Sequence, residues 1–409
     1  MKIWYNKNMI HNEKIKTDGI NPVYKRKRIK KFLRKLGPGF ITGASDDDPS
    51  GITTFSQSGA RFGLSQLWTS LFCFPFMAAI QETCARIGMV TGRGLSGVIK
   101  THYSKSTLFF AVSLLFVANT INIGANLGAM AAAVELILPI PFWFLLLFLS
   151  AGVLFLEIFV SYKVYVNYLK YFAMSLLAYI ITAFIVGEHW KVIAIAAVVP
   201  SFTWSRDYLM NIVAIFGTTI SPYLFFWQAG EEVEEEIAHR KIKCFGVGRP
   251  KVTTKDITRM RRDTIFGMFF SNLIAFFIIV TAASTLFPMG IYNINSAADA
   301  ALALRPLAGN FAFLLFTVGI IGTGLLSVPV LAGSASYAVS EAMSWKEGLS
   351  KKFSQAQGFY MVIIAATLIG LLVNFIDIPP FKMLYYTAVI NGVVAPPLMV
   401  IIMLISNDK

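Results

Sequence analysis

The chain has 409 residues, 56% of them hydrophobic and 14% charged, with a mean hydropathy of +0.63. An ordinary soluble domain carries ~25% charged residues, so composition excludes a cytosolic enzyme, a disordered protein and a disulfide scaffold, and leaves an integral membrane protein. The net charge of +14 would suggest nucleic acid in a soluble chain. In a membrane protein it asks which side of the bilayer holds the excess, and no nucleic-acid partner is expected.

Residues 1–36 carry 12 Lys and Arg and read as a basic cytoplasmic tail, not a secretory signal. Their run KRKRIKKFLRK (25–35) is expected to rest on anionic membrane lipids. Apolar stretches long enough to cross a bilayer then follow at 37–62, 65–89, 107–133, 140–160, 165–187, 207–231, 262–287, 311–340, 358–376 and 380–405. Sustained apolar runs without period-two alternation predict helices, not an outer-membrane barrel. Placing both termini in the cytoplasm puts 29 basic residues on that side and 5 in the alternate loops, as the positive-inside rule demands. Ten spans divide into five-helix halves, 37–187 and 207–405, joined by an extracellular connection at 188–206. A monomer in the cell membrane is expected.

Two spans are interrupted in corresponding places. The first contains GPGFITGASDDDPSG (37–51) and the sixth GTTISPYLFFWQAG (217–230). Pro49 and Pro222 lack a backbone donor and disfavour helix just before them. Matched breaks in the opening helices of two halves predict a transporter built of inverted repeats with a site near the midplane.

Asp46, Asp47 and Asp48 lie about eleven residues into the first span, roughly 15 Å deep at ~1.5 Å per residue. Each Asp there costs ~2.5–3.5 kcal/mol, so the carboxylates must face a wet cavity or a cation. Neighbours on a helix point ~100° apart, so the three cannot converge on one ion. Asp48, directly before the proline, is the expected ligand, and Asp46 and Asp47 are expected to line the access path or bond locally. The opened sixth span adds carbonyls near Thr218 and Thr219 with the Ser221 hydroxyl, while Ser50 and Gly51 leave room. One carboxylate with neutral oxygens, and neither sulfur nor imidazole, suits Mg²⁺, with Mn²⁺ accompanying it.

Other polar residues receive more ordinary readings. Asn119, Asn122 and Asn126 share one helical face and are expected to line the cavity. Glu231, Glu232, Glu234, Glu235 and Glu236 read as a solvated helix end, with an inner vestibule formed by Glu231 or Glu232 as the lesser alternative. Glu82 and Glu157 are isolated intramembrane acids expected to find a local partner or the aqueous path. Asn391-Gly392 and Pro396-Pro397 predict a distorted tenth helix. Cys73, Cys84 and Cys244 lack metal-site spacing, and no disulfide, cofactor or catalytic pairing is read.

At the two breaks the chain resembles the NRAMP family of divalent-metal transporters, and QETCARIGMVTGRGLSGVI (81–99) and LAGSASYAVSEAM (331–343) extend the likeness. The resemblance implies a LeuT-type fold of ten transmembrane helices with broken first and sixth. The family's Asp-Pro-Gly-Asn falls on Asp48-Pro49-Ser50-Gly51, so the Asp carries over and Gly51 replaces a coordinating Asn. Its Met-Pro-His falls on Ser221-Pro222-Tyr223, its coordinating carbonyl on Thr218 and its second histidine on Gln228. The proton-relay acids of the third helix fall on Asn126 and Ala129, and a tenth-helix Gln on Ala388. This pattern is similar to the NRAMP-related magnesium-transporter branch. It implies Mg²⁺ import by alternating access without obligatory proton coupling; a proton-coupled Mn²⁺/Fe²⁺ symporter is the alternative.

Overall fold

The computed structural model describes residues 37–160, 174–186 and 189–407, and the described residues are helical with short connections. The basic tail, the 161–164 turn with Lys163 and the beginning of the fifth span with Lys170 lie outside the described residues. The first span is two helices, α1 (Pro38–Asp46) and α2 (Pro49–Phe62). Next come α3 (Trp68–Thr91), a short α4 (Leu95–His102), α5 (Lys105–Glu135) and α6 (Phe142–Phe159). The fifth span is described as a 3₁₀ turn leading into α7 (Leu177–Val186). The connection at 188–206 contains its own helix, α8 (Trp190–Val198).

The second half opens on another split span, α9 (Arg206–Thr219) and α10 (Pro222–Ala238). It continues through α11 (Thr254–Thr285), two short helices α12 (Ala297–Ala301) and α13 (Arg305–Ala308), α14 (Ala312–Met343), α15 (Gln357–Val373) and α16 (Pro380–Asn407). The helix over 380–407 runs on through Pro396 and Pro397; the predicted distortion is not a break.

Local chemistry sets many of these ends. Ser104 and Ser205 accept from the Thr107 and Tyr208 amides to start α5 and α9, and Thr253 with Asp256 forms a capping box for α11. The split spans lie inside the bundle: α1 and α2 pack on α11, α9 on α16, and α10 on α3 and α14. Close approach is built from small residues. A methyl added to Gly43 would collide with the Gly267 backbone, and one on Gly217 with Ala388 and Gly392. Outward-facing Phe144, Phe148 and Phe155 are exposed, as expected of surface that meets lipid rather than water.

Two readings change, and a third, that Glu82 finds a local partner, is met. The Glu-rich stretch is not a solvated end: α10 continues through it, and Glu232, Glu234 and Glu236 are buried. The reason is tertiary: Tyr337 of α14 donates to Glu234 at 3.1 Å, Met89 of α3 lines one cleft with Glu232 and Glu236, and Lys241 folds back onto Glu236 at 3.1 Å. Glu82 is an ion-pair centre, meeting Arg86 and, at 2.9 Å, Arg261 of α11. Glu157 is buried with neither oxygen hydrogen-bonded among the described residues.

Candidate functional site

The two breaks share one construction: two non-helical residues, then a proline opening the next helix. In the first, Asp47 (φ −79°, ψ 56°) ends α1 and Asp48 (φ −72°, ψ 171°) caps α2. Asp48 Oδ1 accepts from the Gly51 amide at 2.8 Å and from Ser50 Oγ at 2.6 Å. The carboxylate thus answers amide donors that a helix start always leaves free. In the second, Ile220 (φ −112°, ψ 63°) and Ser221 (φ −75°, ψ 124°) separate α9 from α10. Ser221 Oγ donates to the Thr218 carbonyl at 2.7 Å and lies 3.2 Å from that of Gly217. Donation uses its proton and leaves oxygen lone pairs free.

The breaks face each other. A methyl on Gly51 would lie 3.1 Å from Thr218 Oγ1 and 3.5 Å from the Asp46 carbonyl, so only glycine leaves that gap open. Tyr223, at the start of α10, donates its hydroxyl to the Ser45 carbonyl at 3.0 Å, tying the second break to the end of α1. Pro49, Ser50, Thr219 and Pro222 are buried beside them.

The second oxygen of Asp48 meets α5. Asn126 Nδ2 donates to Oδ2 at 3.1 Å and Asn122 Nδ2 lies 3.4 Å away. Asn122 Oδ1 accepts from Thr387 Oγ1 at 3.2 Å, so the tenth span reaches the site through the residue beside Ala388. Asn119 instead donates to the Leu331 carbonyl at 2.9 Å and joins α5 to α14. Asp46 and Asp47 turn away from Asp48 and share Ser271 of α11, whose hydroxyl lies 2.6 Å and 3.2 Å from their oxygens. Gln228 points down α10, donating to Glu232 at 3.0 Å. Reading the residues missed Ser271 and Thr387. Nothing in the spacing of either span marks them, because their roles depend on which helix lies opposite.

The site is deeply buried, with Asp48 only 1% exposed, and it is rich in acceptors. Asp46 Oδ1, Asp47 Oδ2, Asn126 Oδ1 and Thr218 Oγ1 have no hydrogen-bond partner among the described residues. Buried acceptors without donors are costly, and a cation relieves that cost. No cluster of three or more His, Cys, Asp or Glu side chains suited to a metal occurs among the described residues. The arrangement therefore offers one carboxylate amid neutral oxygens, the donor set of a hard ion that keeps much of its water.

Paired helix breaks around a buried, acceptor-rich gap define a membrane transporter of the LeuT type, and the solved structures agree. The manganese transporter of Eremococcus coleocola, in complex with an aromatic bis-isothiourea substituted compound, superposes with a TM-score of 0.64 at 15% identity, over 90% of this chain and 77% of that one. Mhp1, a nucleobase-cation-symport-1 family transporter, gives 0.56 at 11% identity over 85% and 74%. The chain belongs to the Nramp family (natural resistance-associated macrophage protein-like), whose model matches residues 39–409. Among its relatives, the divalent metal cation transporter MntH of Deinococcus radiodurans is 25% identical over 319 residues, covering 74% of this chain and 67% of that protein. MntH of Caldanaerobacter subterraneus subsp. tengcongensis is 22% identical over 385 residues, covering 93% and 86%. The protein is a multi-pass transporter of divalent metal cations and not an enzyme; the metal is its cargo, not a cofactor.

Proposed function

We propose that this transporter imports Mg²⁺, with Mn²⁺ as a second substrate, holding a partly hydrated ion between the two breaks. Asp48 and Ser221 supply side-chain oxygens, Thr218 its carbonyl, and Gly51 the space for retained water. The observation that carries this reading is the donor set: Ser221 stands where a thioether would favour a transition metal, and among the described residues no sulfur or imidazole is bonded at the break. Asp46, Asp47, Ser50, Thr219, Tyr223, Asn122 and Asn126 shape the surroundings.

Uptake needs no obligatory proton. The groups facing Asp48 from α5 are the amides Asn122 and Asn126, and no histidine occupies a predicted span. A double charge crossing 100 mV gains ~4.6 kcal/mol, more than a thousandfold accumulation. We place the protein in the cell membrane as a monomer with both termini cytoplasmic and the basic tail on anionic lipid. The halves are 37–187 and 207–405. A proton-coupled Mn²⁺/Fe²⁺ symporter is the second reading, favoured by relatives named as manganese or MntH transporters.

The test is Mg²⁺ flux into liposomes loaded with a magnesium-sensitive dye, under a fixed potential and with internal pH recorded. Asp48→Ala abolishes uptake and internal pH stays level. Undiminished flux in that variant would remove Asp48 from the ion, and acidification tracking metal entry would replace the uncoupled reading with the symporter.

A further inference from the structure

Below the central site, α10 carries Gln228, Glu232 and Glu236 at i, i+4 and i+8, one stripe on a single face. The stripe descends into a cleft between the start of α1, α10 and α11, whose volume is about 60 Å³. A water needs ~10–15 Å³ by this measure, so the cleft admits roughly four to six. Its walls hold five carboxylates, Glu232, Glu235, Glu236, Asp256 and Asp263, against two fixed cations, Lys241 and Arg259.

The partners of these groups differ. Asp263 is committed to α1: it accepts from the Gly37, Gly39 and Phe40 amides at 3.0, 2.9 and 3.3 Å. Asp256 is held by the Thr253 cap and Lys241. Glu235 lies 3.5 Å from His239 Nδ1. Glu232 and Glu236 are the ones with capacity to spare. Glu232, 3% exposed, has one oxygen on Gln228. Glu236, 2% exposed, has one oxygen on Lys241, and its Oε2 has no partner among the described residues. Gln228 Oε1, on a residue 0% exposed, is likewise without one. Orphaned acceptors therefore mark this stripe as they mark the central gap, while Lys241 already brings one tethered ammonium to it.

We propose that Glu232 and Glu236 form a second cation site, a hydrated way-station for the divalent ion between the helix breaks and the cytoplasm. This rests on the importer reading and adds to it a place on the exit route. The spacing favours an ion contacted through its water: no three acids among the described residues converge as a direct metal cage. Mg²⁺ sheds its shell reluctantly, so an outer-sphere site releases it quickly. The cleft also concentrates cations, because one sign of charge on low-dielectric walls raises local counter-ion levels by about tenfold or more. Lys241 fills the site when the ion has left and limits how tightly it binds.

The test counts Mn²⁺, used as a paramagnetic probe, on the purified full chain by electron paramagnetic resonance. Asp48→Ala retains one weak Mn²⁺ population; adding Glu232→Gln or Glu236→Gln removes it, and the melting temperature without metal shows that these variants are folded. In liposomes Glu232→Gln lowers maximal Mg²⁺ uptake about tenfold with little change in KM, because the external binding step is intact. Residual Mn²⁺ that survives both glutamine changes, or its absence from Asp48→Ala alone, overturns the site. So does Glu232→Gln flux equal to wild type. A wild-type protein that moves no Mg²⁺ defeats the importer reading instead, and the Mn²⁺ count still decides this one.

Discussion

Asp48→Asn separates charge from shape. Asn is as good a helix N-cap as Asp, so its carbonyl oxygen keeps the Ser50 hydroxyl and the Gly51 amide. Its new NH₂ then faces the amides of Asn126 and Asn122. Asn126 can turn its unpartnered Oδ1 toward it at little cost. Asn122 can turn only by giving up its bond from Thr387, about 1 kcal/mol. Without metal, the variant's stability therefore lies within about 1–2 kcal/mol of wild type. The cation loses far more. A divalent ion bound directly to a carboxylate oxygen, about 3 Å from the centre of the carboxylate charge, gains about 11 kcal/mol of gross attraction at an effective dielectric of 20, only partly offset by lost hydration. Denaturation in detergent with graded MgCl₂ measures both quantities. Wild type gains about 2.7 kcal/mol at a hundred times Kd, and Asp48→Asn gains nothing in the same range. A variant that melts normally yet retains the Mg²⁺-dependent gain would refute the assignment of Asp48 to the ion.

Two further outcomes follow from packing and from a loop carboxyl. Gly217→Ala forces a methyl into Ala388 and Gly392; it costs about 1–3 kcal/mol in thermal denaturation and weakens Mg²⁺ binding because Thr218 is next in the chain. A variant matching wild type in both would show that α9 and α16 yield there freely. Glu347 lies in the loop before α15, and burial, with Glu341 and Glu234 beside it, pushes its carboxyl well above the usual value of 4.5. The folded state thus holds that proton more tightly than the unfolded one. Its contribution is full below about pH 4.5 and is lost as pH rises toward the folded value. Glu347→Gln removes this loss, so its melting temperature falls less than wild type's between pH 5 and 9; parallel curves would contradict the burial argument.

Much of the architecture was legible because membranes leave few options. Apolar runs mark spans, and a proline beside carboxylates inside such a run has few explanations other than a break. The Asn122 and Asn126 face followed from helical spacing alone, and both residues meet Asp48. What stayed hidden depends on contacts between distant segments. Ser271 sits in an ordinary apolar helix, and only the approach of α11 to the first break gives it Asp46 and Asp47 as partners. The Glu-rich end of α10 reads as a solvated surface until α3 and α14 are seen to cover it. Thr387 went unmarked, since nothing in an apolar helix shows which of its residues faces the site.

The flush contact between α1 and α11 has a mechanical consequence. Where Gly43 meets Gly267 backbone to backbone no side chain intervenes, but Phe40 packs on Phe266 and Phe270 across the same contact, so a tilt of the half-helix pivots about the glycine pair and must slide those rings. Two sets of hydrogen bonds hold the ends of that contact: the Asp263 carboxylate on the three amides of residues 37, 39 and 40, and the Ser271 hydroxyl on Asp46 and Asp47. The segment behaves as a bar resting on a central bearing and clipped at both ends.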